Sequence, residues 1–199
     1  VDVGVFDSNV PGVEQIGGYQ LQFKKTGDTY VLSNVLNGSN NKVFTDYELD
    51  GFHVEKPGKN HIYTNGFWAV DGEVNNSEKE SSLDGNLHNW YFSMRYDFTF
   101  TLGQYTGPLT YYFRGDDDFW LFVDGKLVVD LGGIHDPVGQ MIDLSKYIDM
   151  DDKKTPHQIN IVYFERGGNA STCYMEFALP NVENIPFVPD ESEKTSLTV

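Results

Sequence analysis

Apolar and polar side chains alternate through much of the second half of the chain. In Trp90–Leu102 (WYFSMRYDFTFTL), aromatic or apolar residues occupy every second position from Tyr96 onward, with polar residues between them. A period of two is typical of a strand that buries one face. Similar runs at His157–Glu165 and Cys173–Leu179 predict two more strands. Because long helix-type stretches are missing from the sequence, we expect an all-β protein.

The dipeptide Asp124-Gly125 is the strongest short-range turn signal in the chain. It separates two apolar runs, Trp120–Val123 and Lys126–Leu131. An Asp-Gly pair between such runs favours a two-residue hairpin turn. Since the stretches FWLFV and LVV on the two sides of the turn are unbroken apolar sequences, we expect a hairpin that is covered on both faces, as in the middle of a β-sandwich.

Three consecutive aspartates, Asp116, Asp117 and Asp118, stand between a predicted strand at Leu109–Arg114 and this hairpin. Adjacent carboxylates repel one another, so keeping all three ionised at the end of a strand requires a cation or full solvation. Carboxylate oxygens are the ligands that calcium prefers. The sequence therefore indicates either a calcium site or a solvated acidic turn.

Composition narrows the range of partners. The chain has 14 basic and 30 acidic residues, a formal net charge of −16 and a pI near 4.4. Binding to nucleic acid or to an anionic membrane is therefore disfavoured. The single cysteine, Cys173, excludes an internal disulfide, and no apolar run is long enough for membrane insertion. No H-E-x-x-H, G-x-S-x-G or P-loop motif is present, and we expect no enzymatic activity.

The expected domain organisation is simple. We expect one β-sandwich domain over residues 1–182, with its core motif at 90–180 and a polar loop or insertion at 71–89. The proline-containing, weakly periodic residues 183–199 are predicted to be a linker to a following domain, so that the chain is part of a longer surface protein.

The two motif segments also resemble a known family. The run FRGDDDFWLFVDGKLVVDLGGIH and the later run VYFERGGNASTCYMEFALP resemble the fibro-slime domain. That domain is a branch of the protective-antigen-type β-sandwich family, which includes fungal flocculins and epithelial adhesins. The resemblance implies a lectin-like, antiparallel β-sandwich with long loops at one tip.

A calcium site at that tip is part of what the resemblance implies. Two adjacent aspartates joined by a cis peptide hold the ion, and the match places them at Asp116 and Asp117. A second loop follows the sequence IVY and provides ligands near Glu165, Gly167 (through its carbonyl) and Asn169. The residues expected to contact the bound sugar as well are Asp116, Asp117 and Asn169.

Two alternatives remain open within this site. Relatives usually have asparagine where this chain has Glu165, so either Glu165 is a ligand or Asn169 takes that role and Glu165 turns away. A cis bond places neighbouring carboxylates on the same side, whereas a trans strand alternates them and would pair Asp116 with Asp118 instead. Trp68 or Trp90 is a candidate for stacking on a sugar.

The expected function is that of a calcium-dependent (Ca2+) carbohydrate-binding module in a bacterial cell-surface adhesin. Its partners would be glycans or glycoproteins on host or neighbouring cells. It would be extracellular and anchored to the cell wall through the full-length protein. The alternatives are a structural or protein-binding adhesin domain with a purely structural calcium, and an accessory module of a glycan-degrading enzyme.

Overall fold

The computed structural model describes residues 21, 23–32, 67–70, 79–81, 87–167, 171–183 and 187–189. Within these ranges the chain forms thirteen β-strands and one short 3-10 helix, which confirms the all-β prediction. In chain order the strands are β1 (Phe23–Thr26), β2 (Thr29–Leu32), β3 (Lys79–Ser81), β4 (Leu87–Asn89), β5 (Phe92–Phe100), β6 (Thr110–Gly115), β7 (Asp118–Val123), β8 (Lys126–Leu131), β9 (Val138–Asp143), β10 (His157–Glu165), β11 (Cys173–Ala178), β12 (Val182–Glu183) and β13 (Phe187–Pro189).

The strands form two main sheets. Sheet I has the order β13-β1-β2-β11-β6-β9, and sheet II has the order β12-β5-β10-β7-β8. Among the described pairings all are antiparallel except β1 with β13. The predicted antiparallel β-sandwich is therefore confirmed.

Three connections cross from one sheet to the other at the same end of the sandwich. They join β6 to β7, β8 to β9, and β10 to β11. Gly115 at the end of β6 pairs with both Val138 and Cys173 in sheet I, while Asp118 at the start of β7 pairs with Phe164 in sheet II. We call this the crossing end; its described residues are 116–117, 132–137, 166–167 and 171–172. The opposite hairpin end carries residues 124–125 and 144–156.

Aromatic side chains fill the space between the sheets. The Phe177 ring lies 4.9 Å from Tyr30, 5.5 Å from Tyr111 and 5.1 Å from Phe98, measured between ring centroids. Close to the crossing end, the rings of Phe113 and Phe119 stack at 3.7 Å. All of these rings are buried. The triple aspartate is therefore flanked in sequence by two buried aromatic residues, Phe113 before it and Phe119 after it.

The Asp124-Gly125 turn forms as predicted, but its surroundings differ. Asp124 has φ 49° and Gly125 has φ 76°, the pair of positive values that a type I′ hairpin turn requires. β8 is the edge strand of sheet II, and most of its side chains are exposed or half-buried. The expectation of a hairpin covered on both faces was wrong, since an apolar run at a sheet edge can face solvent on one side.

Two regions assigned to loop or linker contain strands. The 71–89 segment includes β3 and β4, which pair as a separate two-stranded ribbon. Residues 187–189, in the predicted linker, form β13 beside β1. The sandwich therefore continues beyond residue 182, while residues 190–199 lie outside the described ranges.

Helical structure in the described ranges is confined to Leu144–Lys146. The Asp143 carboxylate caps this turn, accepting hydrogen bonds from Ser145 N at 3.2 Å and Ser145 Oγ at 2.6 Å. No helix in the described part of the chain is long and apolar enough to cross a membrane.

Candidate functional site

The connection between β6 and β7 carries the first two aspartates. The peptide bond between Asp116 and Asp117 is cis, as the family resemblance implied. Asp116 N donates to Thr172 O at 3.1 Å, and Thr172 N donates back to Asp116 Oδ1 at 2.6 Å. A side chain at Gly115 would collide with the Thr172 carbonyl oxygen, so only glycine allows this approach. The aspartate pair is thus fixed to the connection between β10 and β11.

The Asp117 carboxylate is held by two other loops. Its Oδ2 accepts a hydrogen bond from Arg166 N at 2.9 Å, and its Oδ1 accepts one from His135 N at 3.3 Å. These donors belong to the two neighbouring crossings between the sheets. All three crossings therefore meet at one carboxylate, which is 3% exposed.

Asp118 has a different environment. Its Oδ2 lies 2.6 Å from Arg166 Nε, and its Oδ1 accepts hydrogen bonds from Arg166 Nη2 at 3.0 Å and Gly133 N at 2.6 Å. This two-point ion pair compensates the third carboxylate. The rival arrangement, in which Asp116 and Asp118 would share an ion, is disfavoured because Asp118 is already paired.

Glu165 ends β10 and faces inward. It is 2% exposed, and its Oε1 accepts a hydrogen bond from Gly167 N at 3.0 Å. The Tyr163 hydroxyl lies 3.3 Å from Glu165 Oε2 and donates to the Asp116 carbonyl at 2.6 Å. Glu165 therefore does not turn away into solvent. Asn169, the other candidate for the side-chain ligand, lies outside the described residues.

Burial and mutual repulsion set the acidity of this pocket. Burial, together with the charge of Glu165, raises the pKa of Asp116 to about 8. Burial also raises the pKa of Glu165 to about 7, with Asp117 contributing in the same direction. Within the described part of the chain, neither Asp116 nor Glu165 has an ion-pair partner. Among the described residues, these two buried carboxylates accept hydrogen bonds but have no basic partner.

The donor chemistry of the pocket fits calcium. Calcium takes about 6–8 oxygen ligands and accepts carboxylates and main-chain carbonyls together. Among the described residues, no three His, Cys, Asp or Glu side chains form a ready-made metal cluster. Asp116, Asp117 and Glu165 do not by themselves form such a cluster, so a calcium shell would also need main-chain oxygens, such as the Gly167 carbonyl. Asp116, Asp117, Glu165 and Gly167 all lie at the crossing end, and their assignment as calcium ligands stays a prediction.

The aromatic residues suggested for stacking are in the wrong place. Trp68 and Trp90 are buried, and Trp68 stacks on His88 at 4.0 Å. The neighbouring Tyr91 is 59% exposed, and its ring lies against Gly167. The alternation in Trp90–Leu102 could have indicated that Tyr91 is exposed, because it places the odd-numbered residues on the outer face. Sequence alone did not indicate which loop Tyr91 would meet.

Comparison with known proteins agrees with this fold. The family model of the PA14 domain matches residues 55–191, more than half of the 199-residue chain. The chain belongs to the PA14 domain family. PA14 domains are β-sandwich domains of carbohydrate-binding or adhesin-like type, and they are often parts of larger surface proteins.

Several Dictyostelium discoideum proteins are similar to this PA14 chain. Protein psiE is 34% identical over 137 residues, covering 69% of this chain and 22% of its own length. Protein psiB is 32% identical over 137 residues, with 69% and 20% covered, and protein psiI is 34% identical over 123 residues, with 60% and 16% covered. The chain thus spans about a fifth of the length of these relatives. No solved structure matches the chain.

Proposed function

We propose that this PA14 domain is a calcium-dependent carbohydrate-binding module of the fibro-slime branch, part of a cell-surface adhesin. Its family membership supports a role in carbohydrate binding or adhesion. The observation that carries the calcium dependence is the pocket at the crossing end, where Asp116, Asp117 and Glu165 are buried together. Buried carboxylates that lack a basic partner are stabilised by a bound cation.

Each residue of the pocket has a distinct role in this proposal. Asp116 and Asp117 hold the ion, since their connection is fixed by Thr172 and Arg166. Glu165, the Gly167 carbonyl and Asn169 complete the protein ligands. When bound, calcium supplies a positive centre that can coordinate hydroxyl groups of a sugar.

The proposal also covers the setting of the domain. The relatives are much longer than this chain, which supports its role as one module of a larger protein. Glycans or glycoproteins on host or neighbouring cells are the proposed partners, and the module itself is not an enzyme. The assignment to a bacterial surface rests on the acidic, nearly cysteine-free composition, whereas the matched relatives come from Dictyostelium discoideum.

A glycan array tests this function. We expect the wild-type protein to bind a defined set of glycans with calcium present and to lose that binding in chelator. Asp117→Ala should lose binding with calcium present, while Asp152→Ala at the hairpin end should keep it. Calcium-induced thermal stabilisation without any glycan binding would favour the purely structural calcium. Cleavage of a polysaccharide by the isolated chain would overturn the non-enzymatic assignment.

A further inference from the structure

Tyr91 is an exposed aromatic residue held between two buried ones. Trp90 and Phe92 are 2% and 8% exposed, whereas Tyr91 is 59% exposed. Its φ of 59° lies in the left-handed region, which is uncommon for an aromatic residue. Such a conformation persists only where the surrounding structure holds it, and the two buried neighbours provide that restraint. The chain thus presents this ring to solvent at a defined position.

The ring of Tyr91 lies against Gly167, whose carbonyl is one of the proposed calcium ligands. A Cβ atom on Gly167 would lie 3.2 Å from the Tyr91 hydroxyl oxygen and 3.3 Å from its ring carbons, so the glycine allows close contact. Gly167 also has φ 93°, which strongly favours glycine. The preceding residue, Arg166, donates its main-chain N–H to Asp117. Tyr91 therefore lies against the residue that follows Arg166, whose main-chain N–H contacts the Asp117 carboxylate.

A second exposed apolar side chain lies on the other loop that contacts Asp117. Ile134 is 72% exposed and directly precedes His135, whose main-chain N–H donates to Asp117 Oδ1. The two oxygens of the Asp117 carboxylate thus take hydrogen bonds from two loops. One of these loops carries Ile134, and the other carries Gly167 with Tyr91 against it. Exposed apolar groups beside an acidic pocket are typical of binding sites rather than of a solvated turn.

We propose that Tyr91 is the aromatic platform of this binding site, on which the C–H face of a pyranose sugar stacks, with Ile134 as a further apolar contact. This inference rests on the proposed carbohydrate-binding function. A pyranose has an apolar face of C–H groups and a polar edge of hydroxyl groups, and an aromatic ring beside an oxygen-rich pocket matches both. The ligand class that the Tyr91 ring would select is a pyranose with adjacent C–H groups on one face.

Methyl pyranosides of galactose, glucose, mannose and N-acetylglucosamine serve as probes in a titration followed by calorimetry, with calcium present. We expect the best wild-type ligand to bind Tyr91→Ala about tenfold more weakly or worse, as for truncation of a central aromatic contact. Tyr91→Phe should stay within about threefold of wild type, because it keeps the ring. Leu127→Ala, an exposed apolar residue beside the Asp124-Gly125 turn at the hairpin end, serves as the matched control and should bind normally.

Calcium affinity is measured on the same variants and should be unchanged in Tyr91→Ala. If the wild-type protein binds none of the sugars, both the proposed function and this inference fail. If wild type binds but Tyr91→Ala binds equally tightly, only the inference about Tyr91 fails. A parallel loss of calcium affinity in Tyr91→Ala would also overturn it, since the ring would then only support the Gly167 loop.

Discussion

At the hairpin end of the sandwich, aspartates near the surface accept hydrogen bonds from neighbouring groups. Asp124 Oδ1 accepts from Gln158 N at 2.8 Å, and Asp124 Oδ2 lies 2.8 Å from His157 Nδ1. In the surface loop nearby, Asp152 Oδ1 accepts from the main chain of Thr155 and Lys154 at 3.0 Å. Hydrogen bonds from Thr155 lower the pKa of Asp152 to about 2. The Asp152 carboxylate is therefore stable as an anion through hydrogen bonds with its own loop.

At the crossing end, an aspartate is buried and its pKa is raised instead of lowered. Burial, together with the charge of Glu165, raises the pKa of Asp116 to about 8. Only Asp118, of the three consecutive aspartates, has an arginine partner within the described residues. A run of acidic residues in a sequence therefore does not by itself indicate a cation site. A buried carboxylate without a basic partner is a candidate cation ligand, whereas an exposed carboxylate that accepts hydrogen bonds from its own loop stabilises a turn.

The largest expected effect on stability comes from a change at Gly115, which allows the β6–β7 connection to lie close to the β10–β11 connection. Gly115→Ala would bring a methyl group into the Thr172 carbonyl, so we expect a loss of about 3 kcal/mol in the free energy of unfolding. The matched change at the hairpin end, Gly125→Ala, meets no neighbouring atom and disturbs only a φ of 76°. It should lose about 1 kcal/mol.

Urea unfolding of both glycine variants in chelator, followed by circular dichroism, checks this difference. Chelator removes any contribution of bound cation to stability. Equal losses in the two variants would show that the crossings are not packed as closely as described.

A smaller effect is expected from the arginine that pairs with Asp118. Arg166→Ala leaves the buried Asp118 carboxylate without its partner, and we expect a loss of about 2 kcal/mol in the free energy of unfolding. The loss is smaller than for a fully buried pair because the arginine side chain is 42% exposed. Arg95→Ala breaks an exposed pair with Asp97 of similar length, 2.9 Å, and should change stability by no more than about 0.5 kcal/mol. Urea unfolding in chelator measures both, and similar losses would contradict the distinction between Asp118 and a surface aspartate.

The fold was predictable from sequence wherever short-range patterns decide it. Alternation predicted β5, β10 and β11, and the Asp124-Gly125 pair predicted the turn between β7 and β8. These signals do not reveal sheet order, which is why the edge position of β8 was missed. Sheet order depends on packing between residues far apart in the chain.

The site was predictable only in part, for the same reason. The triple aspartate and the second loop were visible as motifs, and the resemblance placed the cis bond at Asp116-Asp117. The pairing of Arg166 with Asp118 and the contact of His135 with Asp117 arise where the crossings meet. No local pattern encodes them. Trp90 fits the buried positions of its alternating run, yet only the structure showed that Tyr91 is the exposed ring beside the site.

Calorimetric titration with calcium tests the central claim most directly. The wild-type chain should bind one calcium ion, and Asp117→Ala should weaken that binding about a hundredfold or more, since it removes a carboxylate ligand. Asp124→Ala, which removes a carboxylate at the hairpin end, should leave calcium affinity within about threefold of wild type. Absence of calcium binding in the wild-type chain, or undiminished binding in Asp117→Ala, would contradict a cation site at the crossing end.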